Sequence, residues 1–96
     1  MDLQKTQKEI YQNKVERGFN VSDIGKEIIL IIEEVGELSR SFRDKNKEEM
    51  VDAVGDIMIY CLGLCEILGV DSEKVIQKIV DNNKKRTHRS HFKEKR

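Results

Sequence analysis

Two long segments of this chain repeat apolar residues at alternating steps of four and three. Ile24, Ile28, Ile31, Val35, Leu38 and Phe42 form one series, and Met50, Val54, Ile57, Cys61, Leu64 and Leu68 the other. That spacing marks helices that pack side by side. None of the 96 residues is proline, so no helix interior has to break on that account. A shorter helix is expected from Asp2 to Glu16, with a thin stripe at Leu3, Ile10 and Val15 and a stop at Gly18. Ser22 is expected to cap the second helix, and Asn46 with Glu49 to open the third. Gly69 ends the third, and Asp71 or Ser72 caps a fourth that carries Val75, Ile76, Ile79 and Val80. Short connections imply antiparallel neighbours. The expected fold is all-α, an antiparallel four-helix bundle-like domain. Ile29, Leu30 and Ile32 make the second helix apolar nearly all round, which predicts a central helix. A chain this short buries a modest core, so homo-oligomerisation to a homodimer or homotetramer is expected to complete it.

Charge narrows the function classes. Eighteen basic and eighteen acidic residues cancel, which argues against bulk attraction to nucleic acid or membrane. The apolar runs are too short for a membrane span, the N-terminal stretch is polar, and a cytoplasmic protein is expected. Cys61 and Cys65 lie four apart and are read as reduced, buried, small hydrophobes. Residues 84–96 hold seven Lys or Arg and one acid, so a basic tail over 87–96 is set apart from a domain over 1–86. His88 and His91 fall in that tail, away from any Glu-x-x-His pattern of a di-iron bundle.

The acids carry the chemistry. Glu33, Glu34 and Glu37 interrupt the second helix within an arc of roughly 100°. Glu49, Asp52 and Asp56 fall within roughly 60° on the third. Glu37 stands about eight residues before the connection at Lys45 and Asp52 about seven after, while Glu34 and Asp56 are each about eleven away. An antiparallel pair therefore brings the two clusters to matching heights. So many like charges in a partly apolar crevice require raised pKa values or a cation. Hard oxygen donors in that number select Mg²⁺, Mn²⁺ or Ca²⁺.

EEVGE at Glu33–Glu37 resembles the EExxE motif of the MazG-like all-α nucleoside triphosphate pyrophosphohydrolases. DAVGDIMIYCLGL, from Asp52, resembles that family's second metal motif and the helix that follows it. The likeness runs from about residue 5 to residue 86 and takes in RGF at Arg17–Phe19 and GVD at Gly69–Asp71. It implies Mg²⁺-dependent (or Mn²⁺-dependent) hydrolysis between the α- and β-phosphates of a nucleoside triphosphate, giving a monophosphate and pyrophosphate. It carries Glu34, Glu37 and Asp56 over as metal ligands, with Glu33 a ligand or base. Ala53 stands where the family's ExxD motif has a glutamate, and Asp52 or Glu49 is the candidate replacement. Glu33 or Glu37 is the candidate base for the attacking water. Tyr60, one turn after Asp56, is a candidate to stack on a base. Lys78, Asn82 and Arg86 on the fourth helix, and Lys26, are candidates for nucleotide binding. Two other readings are a non-catalytic helical interaction module of the same fold and a nucleic-acid-binding protein using the basic tail.

Overall fold

A computed structural model describes residues 1–86. Four helices follow one another: α1 (Leu3–Glu16), α2 (Ile24–Arg43), α3 (Lys47–Leu68) and α4 (Ser72–Lys85). Each begins on a side-chain oxygen that accepts a backbone N–H of the first turn: Asp2, Asp23, Asn46 and Asp71. Asp23 caps α2, one residue beyond the expected Ser22; its carboxylate accepts from Lys26 N. Three of the helix ends share one closure. At Gly18, Lys45 and Gly69 the backbone turns left-handed. The next residue's N–H then reaches back five positions, Phe19 to Lys14, Asn46 to Ser41 and Val70 to Cys65. Two of these closures use glycine, and Lys45 makes the third at φ 58°.

α3, and not α2, is the central helix. It packs against each of the other three, whereas the backbone of α2 runs close to α3 alone and its link to α1 is the side-chain pair of Glu27 with Lys14. α1 sits tightly on α3 at Gly63, where an added Cβ would lie 3.3 Å from the Ile10 side chain. α3 and α4 meet at a bend of 108°. No single helix among the described residues is long and apolar enough to cross a membrane.

The inward faces differ from the apolar stripes read in the sequence. On α2, Glu27 and Ser41 are buried and Leu30, Ile31, Glu34 and Leu38 half-buried, so a partly polar face meets α3. Phe42, placed in the expected stripe, is 69% exposed, and Ile32 is 62% exposed. On α1 the inward line is Leu3, Gln7, Ile10 and Lys14, and Val15 is exposed. Cys61 is exposed and Cys65 half-buried, because their side of α3 turns away from α1 and α2; burial, then Cys61, pushes the Cys65 thiol up. Among the described residues Ala53 is the one fully buried hydrophobic residue, at 4% exposure. A single chain thus has little dry core and much uncovered apolar surface.

Candidate metal centre

The antiparallel α2–α3 pair decides where the acids meet. Glu34 of α2 and Asp56 of α3 come together there. A cleft of about 440 Å³ opens between the two helices. Glu33, Glu34 and Glu37 line it from α2, and Glu49, Asp52 and Asp56 from α3. Arg40, Ser41 and Ala53 complete the lining. Ala53 is small and buried, and Ser41 is also buried, its hydroxyl donating to Glu37 O at 2.8 Å. Ala53 offers no oxygen to the cleft, and Asp52 and Asp56 carry the oxygens near it on α3.

Glu34 is the half-buried member of the set; the other five carboxylates are exposed at the rim. Burial first, then the charges of Asp56, Glu37 and Glu33, hold its carboxyl above the usual range. Arg40 donates to Glu37 within the cleft, an i,i+3 pair. Arg40 was not among the residues singled out in the sequence, although its spacing from Glu37 on one helix face signals the contact.

Among the described residues the donor set consists of carboxylate oxygens, without thiol or imidazole, and suits a hard divalent cation. The carboxylates ring the cleft without converging on a point: among the described residues no three His, Cys, Asp or Glu side chains stand gathered as a ligand set. Like charges repel, which disfavours such a gathering without a cation.

A smaller hollow of about 280 Å³ adjoins the cleft and shares Glu34 and Asp56 with it. Tyr60 lines it, together with Phe19, Asn13 and Lys14. Burial, then the charges of Glu34, Glu27, Asp56 and Glu33, raise the Tyr60 hydroxyl. Phe19 was legible only as part of RGF; Asn13 and Lys14 looked like solvent-facing residues of a polar helix. Lys26 is exposed at the start of α2, and Lys78, Asn82 and Arg86 are exposed on or just beyond α4. None of these four lines the cleft in this chain. The tail, 87–96, with His88 and His91, lies outside the described residues.

A model of the MazG-like family matches residues 25–96. The chain belongs to the MazG-like family. The match takes in both acid clusters and the helix between them and the tail. Membership suggests a function of the nucleotide pyrophosphohydrolase type. Neither the curated proteins nor the solved structures include a match to this chain.

Proposed function

We propose that this MazG-like protein hydrolyses a nucleoside triphosphate, NTP or dNTP, to the monophosphate and pyrophosphate. One observation carries the reading: six carboxylates from two facing helices line one cleft, where Arg40 is the one cation among the described lining residues. A triphosphate does not enter such a cleft unaided, because its charge has the same sign. Glu34, Glu37, Asp52 and Asp56, with Glu33 or Glu49 in reserve, would hold Mg²⁺ or Mn²⁺, which would supply positive charge for the phosphates and a more acidic water.

The chain's own groups divide the remaining work. Glu37 is engaged by Arg40, so Glu33, which has no hydrogen-bond partner among the described residues, is the better placed carboxylate to take a proton from the attacking water. Tyr60 and Phe19 offer aromatic surface beside the cleft for the base. Apolar side chains left exposed on α2 and α4 are covered by further copies in a homodimer or homotetramer, which also offers Lys26, Lys78, Asn82 and Arg86 to a neighbouring cleft.

The test incubates the protein with each NTP and dNTP, with and without Mg²⁺, and separates the products. Monophosphate and pyrophosphate should appear only with the metal, and Glu37→Ala or Asp56→Ala should abolish their release. No turnover of any nucleotide, in Mg²⁺ or Mn²⁺, overturns the proposal.

A further inference from the structure

Lys14 is out of place for a lysine on a polar helix. It is 8% exposed, in a protein with one fully buried hydrophobic residue. Its ammonium donates to Glu27, which is wholly buried. The second oxygen of Glu27 accepts from Asn20 Nδ2 at 2.9 Å, and the same amide nitrogen donates to Asp23 O at 2.8 Å. These bonds tie the end of α1 to the start of α2. Taking two charges out of water is costly, so tying two helices together is poor reason for an ion pair where apolar side chains would serve.

The surroundings supply a reason. Lys14 lines the hollow beside the cleft and a second hollow on the other side of the same wall, together with Phe19 and Tyr60 in both. Its nitrogen lies 5.8 Å from the Tyr60 ring centroid. Arg17 lies 4.8 Å from the Phe19 centroid and steadies that ring. An ammonium has three donors. Glu27 takes one, and no other acceptor of a Lys14 hydrogen occurs among the described residues. At about 280 Å³ the hollow is near the small end of ligand pockets, the size for one ring system and not a larger ligand.

We propose that Lys14 is a specificity-determining residue that donates to a carbonyl oxygen of a nucleobase seated against Phe19 and Tyr60. This rests on the nucleotide reading above. Uracil, thymine, cytosine and guanine present a carbonyl oxygen, and adenine does not. A hydrogen bond from a buried ammonium is then made with four bases and lost with the fifth. Bonds to charged groups of this kind correspond to about 10- to 100-fold in affinity.

The experiment titrates non-hydrolysable α,β-methylene analogues of dUTP, dGTP and dATP into the full chain by calorimetry, with Mg²⁺ present. Guanine and adenine are purines of one size, so that pair isolates the carbonyl from bulk. The wild type should bind the dUTP and dGTP analogues about 10- to 100-fold more tightly than the dATP analogue. Lys14→Arg keeps the charge and should keep the preference. Lys14→Met alone strands Glu27 in the interior, so it is combined with Glu27→Leu, an apolar replacement of the whole pair. In that folded double variant the preference should collapse toward one. Equal binding of all three analogues by the wild type overturns the assignment by itself, whatever the variants do. So does a double variant that keeps the preference. Binding of none of the three by the wild type points instead to failure of the nucleotide reading.

Discussion

Glu34 of α2 and Asp56 of α3 line the cleft between the two helices together, and burial first, then the charge of Asp56, holds the Glu34 carboxyl above its usual range. Both causes disfavour the charged form, so Glu34 keeps its proton to higher pH. The sign of the linkage follows. The folded state keeps this proton to higher pH than the unfolded chain, whose value is near 4.5. Stability therefore falls as pH rises from there through the folded value, and the penalty is complete above it. With a chelator present, Glu34→Gln should melt higher than the wild type at neutral pH, and the gap should narrow as pH falls toward 4.5. Melting curves across that range check this; curves that coincide at every pH would count against the repulsive cluster.

Gln7 of α1 is 2% exposed and joins three elements. Its amide nitrogen donates to Glu66 Oε1 at 2.9 Å and to Val70 O at 2.7 Å, and its oxygen accepts from Ser72 N at 2.8 Å. Gln7→Ala strands these groups and should cost about 1–3 kcal/mol. Ser72 offers a contrast, because its buried hydroxyl has no hydrogen-bond partner among the described residues. Ser72→Ala should leave stability unchanged or raised. Chemical denaturation of the two variants at one protein concentration separates them.

Lys45 closes α2 in the left-handed region at φ 58°, a conformation that costs a residue with a Cβ about 1–2 kcal/mol. Glycine removes that cost but loses more chain entropy on folding. Lys45→Gly should therefore gain about 0.5–1 kcal/mol net, which corresponds to a rise of a few degrees in melting temperature. A loss of stability would show that the Lys45 side chain contributes more than its backbone strain takes away.

Ile28, Ile29, Ile32, Val35 and Phe42 leave one side of α2 apolar and uncovered. If further copies cover it, light scattering should give the mass of a dimer or tetramer, and Ile32→Glu should shift that mass toward the single chain. Its melting temperature should then depend less on protein concentration than that of the wild type. A wild-type protein of single-chain mass would contradict the covered face.

Much of this architecture was legible in the sequence because local chemistry sets it. Gly18, Asn46 and Gly69 end or open helices where their backbone preferences say they must. The matching heights of Glu34 and Asp56 follow from helix rise and one short connection. The rotation of α2 was not legible. A helix apolar nearly all round offers no unique inward face, and the face that meets α3 carries Glu27, Glu34 and Ser41. Lys14, Glu27 and Gln7 were hidden for a related reason: a polar residue on a helix is read as solvent-facing, and only a partner distant in sequence makes its burial favourable. Arg40 and Phe19 needed the tertiary arrangement to show that they border the cleft and its side hollow.

The central claim is that the carboxylates of α2 and α3 hold a divalent cation. Titrating Mn²⁺ into the protein while following the electron paramagnetic resonance signal of the free ion tests it most directly. Saturable loss of the free signal is expected with the wild type, and little loss with folded Glu34→Gln or Asp56→Asn. A wild-type protein that leaves the free signal untouched, or either variant binding as well as the wild type, would contradict it.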